Sequence, residues 1–272
     1  FPQFSGSMNV LDTNDYSRYN ALEVIMKRRM TNGIMFQGSY TYSVSKDTRS
    51  FDPTFSTVRT GTSQQAASTP FDLANRFDNY AWSDFDRRHS FAGFYVVELP
   101  VGKGRKFGSD MSTALDWLIG GWQVAGTGSY ASGKPFTVYS GLFTVSDLVS
   151  APANCDGCPR DLGQITQENG TNFFFDAAAR ARFSAPNPGE IGNTGRNYFV
   201  GPPRFEMDAS LSKKFKFSER YSFTLRFDAK NVTNSVSHAK PTQNVRSSTF
   251  GRSRDSVQVG ARKIQLSGRF NF

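Results

Sequence analysis

No stretch of this chain holds the roughly 18 consecutive apolar residues that a membrane-spanning helix requires, so any crossing of a bilayer would be made by strands. The first residues, FPQFSGSMNV, lack a basic segment followed by an apolar one, and no export signal is visible there. The start at Phe1 rather than Met reads as a fragment from which an N-terminal portion is missing. Histidine is scarce: His89 and His238 lie far apart, without Cys or carboxylate at metal-ligand spacing. Cysteine is equally scarce, and Cys155 and Cys158 form a single C-D-G-C. A zinc ribbon would need a second pair and a thioredoxin-type site a βαβ setting, so a small local disulfide in an oxidising exterior is the use expected. No G-x-S-x-G marks a nucleophile. G-K-G-R-K at Gly102 to Lys106 lacks the P-loop spacing and its following Ser or Thr, and reads as a basic turn. Neither an enzymatic role nor a cofactor is expected.

What is present is aromatic and basic. Twenty-six Phe and ten Tyr sit in a chain whose mean hydropathy is −0.48, so large apolar groups must be interleaved with polar ones. The formal net charge of +9 would suit nucleic acid or an anionic lipid surface. Its clusters (Lys27, Arg28, Arg29; Lys103, Arg105, Lys106; Lys213, Lys214, Lys216) fall at expected strand ends and turns, with no RNP-like, zinc-finger or helix-turn-helix pattern beside them. They read as solvated or headgroup-level charge, and nucleic acid is not an expected partner.

Period-two alternation organises the chain, because successive side chains of a strand point to opposite faces. Residues 34–45 place Phe36, Gly38, Tyr40, Tyr42 and Val44 opposite Gln37, Ser39, Thr41, Ser43 and Ser45. Residues 221–230 set Tyr221, Phe223, Leu225, Phe227 and Ala229 against Ser222, Thr224, Arg226, Asp228 and Lys230. Residues 204–215 and 264–272 alternate likewise, with Lys213 on the apolar side marking where its strand leaves the hydrocarbon. Noisier segments at 19–29, 89–99 and 121–131 bring the expected strands to seven. In 89–99 the second face also holds Phe94 and Val96, which leaves its facing open.

Each segment has about the 9–11 residues of a tilted membrane strand. The connections alternate in length: Thr31 to Gly33 and Lys216 to Arg220 are tight, Pro100 to Gly120 is intermediate, and 46–86, 132–203 and 233–260 are long. Short turns at one end and long loops at the other are the asymmetry of outer-membrane barrels, with the short turns periplasmic. A soluble β-sandwich, the alternative fold, predicts short loops at both ends and charge on its outer face.

These residues carry a resemblance. S-R-Y-N-A-L-E-V (Ser17 to Val24), T-N-G-I-M-F-Q-G-S-Y-T-Y-S-V-S (Thr31 to Ser45), D-R-R-H-S-F (Asp86 to Phe91), E-L-P-V-G-K-G-R-K-F (Glu98 to Phe107), G-G-W-Q-V-A-G (Gly120 to Gly126) and S-G-K-P-F-T-V (Ser132 to Val138) resemble the barrel region of Oar-like TonB-dependent receptors. So do G-N-T-G-R-N (Gly192 to Asn197), D-A-K-N-V-T-N (Asp228 to Asn234), T-F-G-R (Thr249 to Arg252) and Q-L-S-G-R-F-N-F (Gln265 to Phe272). The C-D-G-C lies outside that pattern. The resemblance implies an all-β antiparallel transmembrane barrel of about 22 strands closed around a plug, in the bacterial outer membrane, with residues 1–272 the C-terminal part of the one barrel domain. It implies uptake of a large or scarce nutrient, driven by a TonB complex acting through a plug that precedes this chain. Outer-membrane lipid and the barrel-assembly machinery are the other implied partners; Leu266, Gly268, Phe270 and Phe272 resemble the terminal signal that this machinery reads. The alternative function is a non-energised surface barrel acting as an adhesin or structural protein.

Two groups of residues are candidate sites. Glu206, Asp208, Arg226, Asp228 and Lys230 are expected to line a lumen, as cross-strand or diagonal neighbours that partly neutralise one another, and either form a solvated wall or touch substrate. Asp72, Asp78, Tyr80, Trp82, Asp84 and Asp86 form an acidic and aromatic loop patch that either meets a sugar or peptide ligand or folds the loop over the barrel mouth. Nothing in the sequence names the nutrient.

Overall fold

The computed structural model describes residues 15–50, 71–72, 75–145, 149–254 and 260–272. Seven long antiparallel strands form one meander: β1 (Ser17–Thr31), β2 (Ile34–Asp47), β3 (His89–Glu98), β4 (Trp122–Ala131), β5 (Arg204–Lys216), β6 (Ser222–Lys230) and β7 (Lys263–Asn271). Each pairs with its sequence neighbour, and a two-residue strand, Ala81–Trp82, extends the pairing of β2. The outer edges of β1 and β7 carry no partner strand among the described residues, so the sheet is an open segment of wall.

The registers run every apolar set onto one face. Across the sheet Val24 pairs with Tyr40, Tyr40 with Phe91, Phe91 with Tyr130 and Tyr130 with Phe205. Further along, Val124 pairs with Leu211, Leu211 with Phe227 and Phe227 with Leu266. Glycines sit where neighbouring rings need room: a Cβ at Gly126 would stand 2.7 Å from the ring of Tyr95, its partner on β3. Gly268 lies similarly under Phe223. The same registers settle the facing of Phe94 and Val96, which lie with Gln37, Met35, Thr127 and Ala125 on the opposite, mainly polar face.

The apolar face stays open. Leu22 is 61% exposed and Ile264 74%, and no long strand contributes an apolar residue to the buried core. A sandwich would cover this face with a second sheet; here only two-residue and three-residue strand pairs occur outside the main sheet among the described residues.

Connections segregate as the sequence indicates. At one end β1 turns into β2 through Asn32 and Gly33, both with positive φ, the backbone of a two-residue hairpin. At that end too, residues 217–221 join β5 to β6, and residues 99–121 carry helix α1 (Thr113–Ile119). The long connections all leave the other end and pack on one another.

Their packing makes the core of the molecule. Phe136, Phe174, Phe175, Phe183, Phe199 and Phe250 form one cluster with Cys155 and Cys158, which are joined by a disulfide. Phe175 is its hub, with the rings of Phe174, Phe183, Phe199 and Phe250 centred 5.1–5.9 Å away. At about 1.5–3 kcal/mol for each buried ring, this cluster is a large part of what stabilises the loop layer. Backbone bonds stitch the layer across loops: Tyr139 N donates to Gln243 O and Phe174 N to Gly251 O.

Candidate functional site

The five sequence-derived lumen residues share one face of β5 and β6, and the structure arranges them differently from expectation. Among the five, the ion pair found is that of Arg226 with Asp228, and it runs along a strand. Arg226 chelates Asp228 two residues on, with Nε 2.8 Å from Oδ1 and Nη2 2.7 Å from it, and Arg204 reaches Glu206 at 2.9 Å. Side chains at i and i+2 of a strand share a face, and an arginine is long enough to span that distance. Across the strands Asp228 meets Ser210 and Gln265, whereas Lys230 stands opposite Lys263. Asp208 accepts from the backbone N of Asn231 at 2.8 Å, closing the turn after β6.

Asp208, Arg226, Asp228 and Lys230 line a single depression of about 710 Å³ that runs from β3 to β7. Gln265, on the polar side of the 264–272 alternation, and Lys263, just outside that segment, complete its far side, and Phe94 and Val96 are part of its apolar lining. Glu206 sits one pair further towards the loops, opposite Ser129.

The loop patch is built into the layer above. Trp82 is surrounded by cations, with Arg88, Lys46 and Arg160 at 4.2, 4.6 and 4.7 Å from its ring centre. Burial, and then the nearby Arg88, lower the Arg160 pKa. Asp86 is buried, accepts from Ser45 N at 2.6 Å and faces Arg88 at 3.6 Å. Asp84 accepts from Asn197 and lies 3.8 Å from Arg196. Tyr80 is half-buried against Tyr16, Asp72 half-buried beside Phe71, and Asp78 exposed on a short 3₁₀ turn. Trp82, Asp84 and Asp86 thus anchor the loop over the end of the sheet, and Asp78 faces solvent.

Sequence reasoning missed the residue that joins these parts. The Arg196 side chain is 1% exposed; its guanidinium pairs with Asp47 at 2.8 Å and donates to Ser50 Oγ, Asp47 O and Asn79 O. It ties the 132–203 connection to the end of β2 and to the 48–88 connection. Its neighbour Asn197 bonds Thr137 and Trp82 O. The signal was the G-N-T-G-R-N motif, quoted above for its resemblance alone. Near this clamp Lys240 donates to Pro135 O at 2.9 Å, and burial brings its pKa down to about 8. Lys134 and Arg87 add to that lowering and Asp84 opposes it.

The decisive comparison concerns the whole chain: a family model described as an outer membrane beta barrel domain matches residues 1–265. The chain belongs to that family. No curated protein and no solved structure matches it. The barrel therefore resides in the bacterial outer membrane. In barrels of this kind an open apolar face meets lipid, a charged face the lumen and short turns the periplasm.

Proposed function

We propose that this barrel wall belongs to a TonB-dependent receptor of the Oar-like kind, which imports a nutrient too large or too scarce for diffusive pores. The observation that carries the reading is the pairing of two structures: a charged, partly apolar lumen hollow, and directly above it a loop layer with its own aromatic core. A pore that admits small solutes passively has no need of such a layer at its mouth. A receptor that must first capture its ligand and then pass it along a wall does. The motifs from Ser17 to Phe272 that resemble the Oar-like barrel support the same assignment. In this reading the loop patch around Asp78 and Tyr80 meets the ligand first, and Asp208, Lys230 and Lys263 lie on its path. TonB acts through a plug, and the barrel-assembly machinery takes the β7 edge with Leu266, Gly268, Phe270 and Phe272.

The test is nutritional. Cells lacking this gene are screened for growth on single carbon, nitrogen and metal sources, and the deficient source is supplied as labelled solute. Uptake that fails equally in the gene deletion and in a tonB deletion is the expected result. Uptake unaffected by loss of TonB, or a deletion that loses only cell attachment, contradicts the reading and favours the adhesin.

A further inference from the structure

Helix α1 lies where a soluble helix would be costly. Its N-terminus is capped by Ser112, whose Oγ accepts from Leu115 N at 3.3 Å, and none of its residues is buried. Its C-terminal carbonyls are held by two side chains of the sheet: Trp122 Nε1 donates to Leu118 O at 3.3 Å, and Lys213 Nζ donates to Asp116 O at 3.4 Å and to Gly120 O. Trp122 and Lys213 are cross-strand partners on the lipid-facing face. The helix is therefore fastened to the outside of the barrel, and the ring of Trp117 packs 4.9 Å from that of Phe215. Lys213 lies three residues inside the end of β5, so α1 runs beside the last ~10 Å of wall at the periplasmic end.

In that position α1 leaves Leu115, Trp117, Leu118 and Ile119 40–58% exposed. Leu115, Leu118 and Ile119, at i, i+3 and i+4, form one stripe. The helix's single acid, Asp116, is turned away into the preceding turn, where Oδ1 accepts from Lys103 N at 2.6 Å. This bond sets the basic turn of Lys103, Arg105 and Lys106 against the helix. The charge of the whole end agrees: residues 27–33, 98–121, 213–222 and 269–272 hold eleven Lys and Arg against four Asp and Glu, or +7 of the chain's net +9.

We infer that α1 and the Lys103–Lys106 turn form an in-plane anchor that binds anionic phospholipid of the periplasmic leaflet, the helix stripe taking the acyl chains and the basic turn the phosphate. Amphipathic helices with an apolar stripe and cations on the other side lie in the interface in this way. Lipid, rather than a protein partner, fits because the helix is fastened to side chains of the apolar face, on the membrane side of the wall. The inference rests on membership of the barrel family and stands whether or not the barrel imports anything.

The experiment uses the full-length protein reconstituted in phosphatidylethanolamine vesicles with and without phosphatidylglycerol. Leu118→Cys supplies a reactive thiol for a polarity-sensitive fluorophore, Cys155 and Cys158 being bonded to each other, and the labelling of unsubstituted protein is subtracted. Its emission is expected to report an apolar site and to be quenched by brominated acyl chains, while the same probe at Glu219→Cys in the neighbouring tight turn stays aqueous. In unsubstituted protein, co-purified phosphatidylglycerol is expected to exceed its share of the vesicle lipid. The K103Q/R105Q/K106Q variant is expected to reduce that enrichment roughly tenfold. A Leu118 probe as aqueous as the one at Glu219 overturns the anchor. Absence of enrichment in unsubstituted protein, or equal enrichment in the triple variant, overturns the headgroup selectivity.

Discussion

Replacing Arg196 with Met will open the loop layer to protease while leaving the strands in place. The guanidinium is 1% exposed and its partner Asp47 8%, so the substitution strands a carboxylate in a site from which water is largely excluded. Removing one member of a buried ion pair costs about 3–5 kcal/mol, more than swapping both members for apolar groups. Arg196 also donates to three oxygens on two other chain segments, and all three lose that donor. Opening of the layer should therefore become a hundredfold or more likelier, by the rule of about 1.4 kcal/mol per factor of ten. Limited proteolysis of barrels in intact outer-membrane vesicles reads this as faster cleavage within residues 132–203. The double variant R196M/D47N should recover part of the protection, because it removes the stranded charge. Unchanged cleavage in Arg196→Met would mean that the aromatic cluster around Phe175 holds the layer without the clamp.

A charge on the wrong face should act on the whole barrel. Leu211 lies between Val124 and Phe227 on the lipid-facing face, near the middle of β5. Leu211→Arg is expected to destabilise the barrel in lipid by about 1–2 kcal/mol, between the cost of Arg at the midplane of a barrel and at its interface, because Leu211 lies two residues inside Lys213. Ser210→Arg, one residue away, points into the lumen opposite Asp228 and is expected to be near neutral. Urea titration of the two variants in vesicles distinguishes the faces. A Ser210→Arg variant at least as damaged as Leu211→Arg would reverse the assignment of inside and outside.

The strands were legible in sequence because their signal is local. A period of two recurs at every strand, and the hairpin residues Asn32 and Gly33 announce their own turn, so seven expected segments coincide with seven strands to within a few residues. Facing failed only where the pattern is double, at Phe94 and Val96, and the register to β2 and β4 resolved it. The loop layer was not legible, because its order comes from contacts between connections more than a hundred residues apart, such as Arg196 with Asp47, and these leave no periodic trace. A cue was present: Phe173, Phe174 and Phe175 run consecutively in a connection otherwise rich in polar residues, which mobile loops do not require. The lumen charges were found but their pairing was not. Strand spacing shows which residues share a face, whereas Arg226 chose Asp228 on its own strand through side-chain reach. Lys213 illustrates the same limit. Its position suggested the end of the hydrocarbon, and its partners, the carbonyls of α1, lie almost a hundred residues earlier in the chain.

The most direct test of this account labels single cysteines along β6 in the outer membrane of intact cells. Cys155 and Cys158 are bonded to each other, and labelling of the unsubstituted protein is subtracted, so each introduced thiol is read separately. Thiols at Thr224, Arg226 and Asp228 should react with a water-soluble maleimide, and those at Phe223, Leu225 and Phe227 only with a lipid-soluble one. Labelling that does not alternate, or that alternates in the opposite sense, would contradict a wall with lipid on one face and a charged lumen on the other.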